Sequence, residues 1–279
     1  MEALQDRYLH VGQFNTRYWA EGSHGSPVVL IHGIGGYIEN WLPSIGALAA
    51  QHRVYALDLL GHGRTDKPLD VSYKIADLAQ FVKDFMAAVG IDRAHVVGHS
   101  LGGAIGTRLA LLYPTAVNRL VLVASAGLGK EVILAIRLMA VPLVGEYLSR
   151  PSLSGSASLA KLVVQDPAVM TDETLELDYQ LAMLPNAQKA FLRCLRANAG
   201  LSGQDKSIYG PNVSGLPTIR NPVLVVWGRQ DQFIPVAHAE VAAKGLPDVR
   251  VRIVDNCGHM PMLEHKEAFS QLLLEFLSD

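Results

Sequence analysis

A serine in a glycine-rich turn is the residue of this sequence best placed for nucleophilic chemistry. Ser100 lies in Gly98-His99-Ser100-Leu101-Gly102, after a short apolar run and before a segment rich in Gly and Ala. The apolar run predicts a strand and the next segment a helix, so the serine occupies a strand-to-helix turn. Side chains in place of the flanking glycines would collide with that strand and helix, and the helix N-terminus favours developing negative charge. The pattern predicts a nucleophilic serine.

A serine hydroxyl is a weak nucleophile at neutral pH, so it needs a base within hydrogen-bond reach. His259 is the best candidate because it lies in a loop directly after the last apolar run, where Gly258 allows a sharp turn. His99 adjoins the serine, but neighbours on such a turn point in different directions, which favours a structural or cavity-lining role. We therefore predict that His259 is the general base.

The base in turn needs an acid that orients it. Asp231 follows the apolar run Val223–Trp227, whose end is expected at the same edge of the sheet as Ser100. Asp255 is too near His259 in the chain to reach its Nδ1 atom comfortably. Position and elimination both indicate that Asp231 is the acid.

Short apolar runs that alternate with helix-period segments predict the framework around these residues. The first two predicted strands, Arg7–Val11 and Phe14–Ala20, form an antiparallel pair. The later predicted strands are Pro27–His32, Arg53–Asp58, Ala94–Gly98, Arg119–Ala124, Val223–Trp227 and Val249–Val254. The main predicted helices are Trp41–Gln51, Ile75–Val89, Ser100–Leu112 and Lys266–Leu277. Such alternation predicts an α/β fold with a mostly parallel central sheet flanked by helices.

Residues 126–218 interrupt this alternation. They contain helix-like pieces separated by prolines and no convincing strand, and they are too many for an ordinary loop. We predict a core formed by residues 1–125 and 219–279, with residues 126–218 inserted between two late strands as a helical cap, or lid. The apolar stretch Val132–Val144 either faces a cavity, where it would favour an apolar acyl chain or aromatic group, or packs the cap onto the core.

Composition limits the partners and the location. The chain has 279 residues, a net charge of −2 and scattered Lys and Arg, which argues against nucleic-acid binding. The apolar runs are too short for a transmembrane helix and the N-terminus lacks a signal-peptide pattern, so we expect a cytoplasmic protein with no stable membrane anchor. Cys194 and Cys257 fit a reduced protein better than a disulfide. Metal-ligand spacings and nucleotide-binding fingerprints are absent, so no metal or cofactor is expected.

Four motifs resemble the α/β-hydrolase fold superfamily over essentially the whole chain except the cap. They are His32-Gly33, Gly98-His99-Ser100-Leu101-Gly102-Gly103, Trp227-Gly228-Arg229-Gln230-Asp231 and Gly258-His259. The chain order Ser, Asp, His is also the order of that fold. The resemblance implies a catalytic triad of these three residues and an oxyanion hole formed by the backbone N–H groups of Ile34 and Leu101. His32 is expected to brace its loop through hydrogen bonds.

The reaction class follows from the nucleophile, and the substrate is less constrained. Ser100 predicts acyl transfer to water through an acyl-enzyme, and we expect a carboxylesterase or lipase-like enzyme for small to medium apolar esters, with a small-molecule ester as its partner. Alternatively, the last third resembles hydrolases that cleave carbon–carbon bonds in ring-fission products of aromatic compounds. Those enzymes usually carry Asn at the position of His99 and an aromatic residue at that of Met260. A non-catalytic ligand receptor is a third alternative, and the oligomeric state is left open.

Overall fold

The structure, a computed structural model, describes residues 4–278 and is organised around one large sheet. The strands are β1 (Arg7–Val11), β2 (Phe14–Glu21), β3 (Pro27–Ile31), β4 (Arg53–Leu57), β5 (Ala94–His99), β6 (Val117–Val123), β7 (Ala199–Gly200), β8 (Gly203–Gln204), β9 (Val223–Gly228) and β10 (Val249–Val254). The main sheet has the order β1-β2-β4-β3-β5-β6-β9-β10. Only β2 pairs antiparallel with its neighbours β1 and β4; the other pairs within this sheet are parallel. The predicted α/β fold with a mostly parallel sheet is confirmed.

Helices cover both faces of this sheet. They are α1 (Leu42–Ala49), α2 (Ile75–Ala88), α3 (Leu101–Leu112), α4 (Leu134–Met139), α5 (Val144–Leu148), α6 (Leu153–Val163), α7 (Asp172–Ala182), α8 (Ala187–Asn198), α9 (Lys206–Gly215), α10 (Ala237–Gly245), α11 (Pro261–Glu264) and α12 (Lys266–Ser278). Helices α2, α3 and α10 pack into one hydrophobic core, and α1 and α12 pack into the other.

Strand β3 shows why the central strands are apolar throughout. Successive side chains of a strand point to opposite faces of the sheet. Val29 and Ile31 accordingly lie in the core beneath α2 and α3, whereas Val28 and Leu30 lie in the core beneath α1 and α12. A strand buried on both faces must be apolar at every position. The short apolar runs of the sequence are therefore the signature of a covered sheet.

The first predicted helix is shorter than expected. We expected one helix over Trp41–Gln51, but a 3₁₀ turn covers Ile38–Trp41 and α1 begins only at Leu42. Pro43 at the second position of α1 explains this start, because proline lacks the backbone N–H that a helix interior requires and is tolerated in the first turn.

Between β6 and β9 the chain forms helices α4–α9, in the stretch where the sequence predicts a cap. The expectation that this stretch contains no strand is wrong, since β7 and β8 form a small antiparallel hairpin within it. Strands of two residues are too short to show the alternation by which strands are found in a sequence. Within residues 4–278, no helix combines the length and the apolar character needed to cross a bilayer.

Candidate active site

The predicted nucleophile occupies a strained turn between β5 and α3. Ser100 has φ 53° and ψ −115°, a region that non-glycine residues rarely adopt and that marks the sharp elbow of a strand-to-helix turn. A Cβ atom on Gly98 would lie 2.2 Å from the carbonyl oxygen of Gly102, and one on Gly102 would lie 2.2 Å from that of Ile31. Neighbouring backbone atoms therefore leave no room for a side chain at Gly98 or Gly102, as the sequence predicted.

The predicted base and acid meet at the same edge of the sheet, although 28 residues separate them. His259 Nδ1 lies 2.7 Å from Asp231 Oδ2, and the other oxygen, Oδ1, accepts the amides of Phe233 at 2.8 Å and Ile234 at 3.0 Å. Because the carboxylate can only accept, Nδ1 carries the proton and donates it to Asp231. This leaves Nε2 as the ring nitrogen that can accept a proton, and it makes no hydrogen bond to any of residues 4–278.

Two rings hold the imidazole of His259 in place. The rings of Phe233 and His99 both have their centroids 4.8 Å from that of His259, with interplanar angles of 26° and 57°. His99 Nε2 donates to the carbonyl oxygen of His259 at 2.9 Å. Burial lowers the pKa of His99 well below its usual range, and the neighbouring His259 adds to this effect. His99 is therefore a neutral, cavity-lining residue that positions the His259 backbone, as the sequence indicated.

A carboxylate that sequence reasoning missed organises the loop around His259. Glu264 accepts the amide of Gly258 at 2.9 Å and that of Met260 at 3.2 Å, one on each side of the histidine. Its other oxygen accepts the amide of Gln165 at 2.7 Å, so Glu264 also ties this loop to the segment between α6 and α7. The available signal was an acidic residue five positions after His259, but its spacing alone predicts no such contact.

The loop after β3 is braced as expected. His32 Nδ1 donates to the carbonyl oxygen of Gly33 at 2.7 Å, and Nε2 accepts the amide of Leu59 at 2.9 Å. Burial lowers the pKa of His32 to about 3, with a further contribution from nearby His62, so the ring stays neutral in this arrangement. The expectation that His32 is a bracing residue is confirmed.

The two predicted oxyanion-hole donors have unused N–H groups. The amides of Ile34 and Leu101 donate to no protein acceptor within residues 4–278. The carbonyl of Gly33 accepts the amide of Gly36 at 3.0 Å, which closes a tight turn around Ile34. Leu101 is the first residue of α3, where backbone N–H groups lack intrahelical acceptors. Both amides are thus available to a ligand.

Ser100 and His259 line a cavity of about 110 Å³ between the sheet edge and the helices that lie between β6 and β9 in the chain. Most of the other lining residues are apolar side chains of the segment between β6 and β9 or of adjacent loops: Ile34, Ile136, Met139, Leu159, Val163, Met170, Phe191, Phe233 and Met260. The apolar stretch 132–144 therefore does face the cavity in part, through Ile136 and Met139, while Leu134 and Leu143 are exposed.

We call the cavity at Ser100 the inner chamber. It adjoins an outer chamber of about 210 Å³, which is lined by α5–α8 and their connections and by the loops after β3 and β4. Both are lined by Tyr37 and Asp178, whose side chains form a hydrogen bond of 2.6 Å between Tyr37 Oη and Asp178 Oδ1. Lys67 and Arg150 line the outer chamber only. The Tyr37–Asp178 pair joins residues 141 positions apart, and sequence reasoning did not identify it.

The two cysteines are separate, free and buried. Burial raises the pKa of the Cys194 thiol to about 12 and also raises that of Cys257. The thiolate is the reactive form of cysteine, so neither side chain is suited to nucleophilic attack. Ser100 is the better nucleophile candidate, although Cys257 lies close to His259 in the chain.

Comparison with known proteins gives a consistent picture of the fold. The sequence profile of the family described as alpha/beta hydrolase fold matches residues 26–266. A hydrolase of 2-hydroxy-6-oxo-6-(2'-aminophenyl)hexa-2,4-dienoic acid from Metapseudomonas resinovorans is 34% identical to this chain, over 99% of the chain and 92% of that protein.

Two solved structures illustrate the range of relatives. A meta-cleavage product hydrolase from Pseudomonas fluorescens IP01 superposes with a TM-score of 0.82 at 28% identity, over 98% of this chain and 97% of that one. A putative lipase from Acinetobacter baumannii AYE superposes with a TM-score of 0.86, also at 28% identity, over 98% of this chain and 91% of that one. Similar folds thus accompany different hydrolase names.

Proposed function

This chain belongs to the α/β-hydrolase fold family, and we propose that it is a serine hydrolase of carboxylic esters that carry no anionic group. The relatives named above support hydrolysis in general. The ester preference is supported by one observation: the chamber around Ser100 is lined by apolar groups and by the carboxyl group of Asp178. Its lining within residues 4–278 includes no Lys or Arg to receive an anionic substrate.

In the proposed first step, Ser100 Oγ attacks the ester carbonyl carbon as Nε2 of His259 takes the hydroxyl proton. Asp231 stabilises the imidazolium and keeps its Nδ1 proton in place. The oxyanion receives hydrogen bonds from the amides of Ile34 and Leu101, and each donor of this kind contributes about 3–4 kcal/mol to transition-state stabilisation. The carbon–oxygen bond then breaks, and the leaving alkoxide takes the proton from His259.

The second step repeats this chemistry with water. A water molecule attacks the acyl carbon of the acyl-enzyme while Nε2 of His259 accepts one of its protons. The bond between Ser100 Oγ and the acyl carbon breaks, and the serine oxygen regains that proton. The products are one carboxylic acid and one alcohol for each water consumed.

A second candidate, cleavage of a carbon–carbon bond next to a ketone, is supported by the names of relatives. The relative from Metapseudomonas resinovorans is named for a dienoic acid substrate, and it matches nearly the whole chain. In that reaction the oxygen of water would join the carbonyl carbon, and a proton would go to the departing carbon. A dienoate carries a carboxylate, however, and the Asp178 carboxylate in the inner chamber disfavours it by charge repulsion.

The two candidates are distinguished by comparing kcat/KM for p-nitrophenyl butyrate with kcat/KM for 2-hydroxy-6-oxo-6-phenylhexa-2,4-dienoate. We expect ester hydrolysis to exceed dienoate decay, and Ser100→Ala to lower kcat for the ester by about 10⁶-fold. Ser158→Ala is the matched control, since Ser158 is exposed on the cap and should leave the rate unchanged. Faster dienoate decay would favour the second candidate, and turnover of neither substrate would favour a receptor.

A further inference from the structure

The junction of the two chambers carries an isolated carboxylate. Asp178 lines both chambers and receives a hydrogen bond at Oδ1 from Tyr37, which is itself almost fully buried. Its second oxygen, Oδ2, makes no hydrogen bond or ion pair with any of residues 4–278. One of the two carboxylate oxygens therefore remains available to a molecule in the cavity.

The positive groups of the outer chamber do not neutralise this carboxylate. Lys67 donates its Nζ hydrogens to the carbonyl oxygens of Gly63 at 2.6 Å and Thr65 at 3.0 Å. Arg150 lies over the ring of Tyr147, with its guanidinium carbon 5.2 Å from the ring centre. Neither cation forms an ion pair with Asp178 in the described part of the chain, so its charge is left to be balanced by solvent or by a ligand.

Desolvation is the main influence on this carboxyl group. It raises the pKa of Asp178, while the hydrogen bond from Tyr37 opposes the rise. A partly desolvated carboxylate gains most from a donor that also carries positive charge, and hydrogen bonds to charged groups are worth about 1.5–3 kcal/mol. The same charge repels a carboxylate brought into the cavity.

We propose that Asp178 is a specificity-determining residue that selects ligands with an ammonium or hydroxyl donor and rejects ligands with a carboxylate. For substrates, this inference rests on the proposed ester hydrolysis. It narrows the expected substrates to esters whose acyl chain ends in such a donor. The inner chamber is smaller than the roughly 150 Å³ cavity that holds benzene, so it accommodates about four or five carbon atoms. The donor should therefore be about the fifth or sixth atom beyond the carbonyl carbon.

Four p-nitrophenyl esters of matched length test this selectivity: those of hexanoic, 6-hydroxyhexanoic and 6-aminohexanoic acids and the monoester of adipic acid. We expect kcat/KM at pH 7.5 to be about tenfold higher for the amino ester than for the hexanoate, and about tenfold lower for the adipate. In Asp178→Asn the amino and adipate esters should differ by less than about threefold. Equal rates for all four esters in the unaltered protein, or a ratio unchanged in Asp178→Asn, would overturn the proposal.

Two further variants separate charge recognition from a structural role. Tyr37→Phe removes the hydrogen bond but keeps the carboxylate, so the ratio between the amino and adipate esters should persist. If Asp178 acted only by anchoring Tyr37, this variant would lose the ratio as Asp178→Asn does. Glu176→Gln removes an exposed charge from the same helix and should leave the ratio unchanged.

Binding measurements make this inference independent of ester turnover. We expect hexylamine to bind Ser100→Ala about tenfold more tightly than hexanoate does by calorimetry, and the double variant Ser100→Ala/Asp178→Asn to lose the preference. Preferential amine binding without hydrolysis of any ester would refute the proposed function but support the role of Asp178. Ester hydrolysis with no amine preference in rates or binding would support the proposed function and refute the role of Asp178. Binding of neither ligand would also count against the role of Asp178.

Discussion

The hydrogen bond between Asp231 and His259 allows a sharp test of the site. Asp231→Asn keeps the shape of the side chain but replaces one acceptor oxygen with an NH₂ group. The remaining oxygen is held by the amides of Phe233 and Ile234, so the new NH₂ group must face His259 Nδ1. Nδ1 would then accept a hydrogen bond, and the ring proton would move to Nε2. A protonated Nε2 cannot take a proton from Ser100.

The expected size of this effect follows from the loss of the correct tautomer. The same exchange in the serine protease triad lowers kcat about 10⁴-fold. At 1.36 kcal/mol for each factor of ten, this corresponds to about 5 kcal/mol of transition-state stabilisation. KM should change less than about threefold, because the exchange alters proton transfer and leaves the apolar lining of the cavity intact. The Asp231 side chain is fully buried, so water cannot substitute for the lost acceptor.

Hydrolysis of p-nitrophenyl butyrate by Asp231→Asn and Asp255→Asn is the suitable assay. Asp255 is only four residues from His259, but its side chain is 69% exposed and pairs with Arg229 on the surface. We expect Asp255→Asn to retain at least half of the activity, since an exposed ion pair contributes little. Circular dichroism and urea unfolding would verify that both variants fold. More than a tenth of the original kcat in folded Asp231→Asn, or equal losses in both variants, would refute this reasoning.

Two further predictions concern stability. Gly102→Ala should prevent stable folding, because its Cβ would lie 2.2 Å from the carbonyl oxygen of Ile31. In Gly210→Ala the new Cβ would meet only Lys206 Cγ at 3.8 Å, so the free energy of unfolding should stay within about 1 kcal/mol of the original value. Urea unfolding compares the two variants. Burial lowers the pKa of His62 to about 4, so this group's stabilising contribution is complete above pH 6.5 and falls by about 1.4 kcal/mol per pH unit towards pH 4. Urea unfolding at pH 7, 6 and 5 should show a shallower decline for His62→Asn, and equal declines would contradict the prediction.

Much of the fold was predictable because local patterns determine it. The strand Val249–Val254 has the bounds expected from its apolar residues, and the helix expected over Ile75–Val89 differs by one residue. The hairpin of Ala199–Gly200 with Gly203–Gln204 was missed. Gly203 has φ +109°, and a Cβ there would lie 2.3 Å from the carbonyl oxygen of Lys130, so a distant backbone contact shapes this turn.

The sequence by itself determined the residues that do the proposed chemistry. A serine between glycines, after an apolar strand and before a small-residue helix, has few structural alternatives because the backbone permits only a sharp elbow there. The carboxyl ends of parallel strands share one edge of a sheet, and this rule, together with the elimination of other acidic residues, led to the pair of Asp231 and His259. The structure then brought the two side chains within 2.7 Å.

Only the tertiary structure decided what surrounds that site. Apolar periodicity shows which face of a helix is buried, but not which partner that face meets, so the lining of the two chambers could not be predicted. The contact of Tyr37 with Asp178 spans 141 residues, and it depends on how α7 packs over the loop after β3. Glu264 likewise holds the His259 loop through amides that no local pattern indicates. The proposed nucleophile, base and acid thus follow from local sequence, whereas the proposed substrate selection depends on long-range packing.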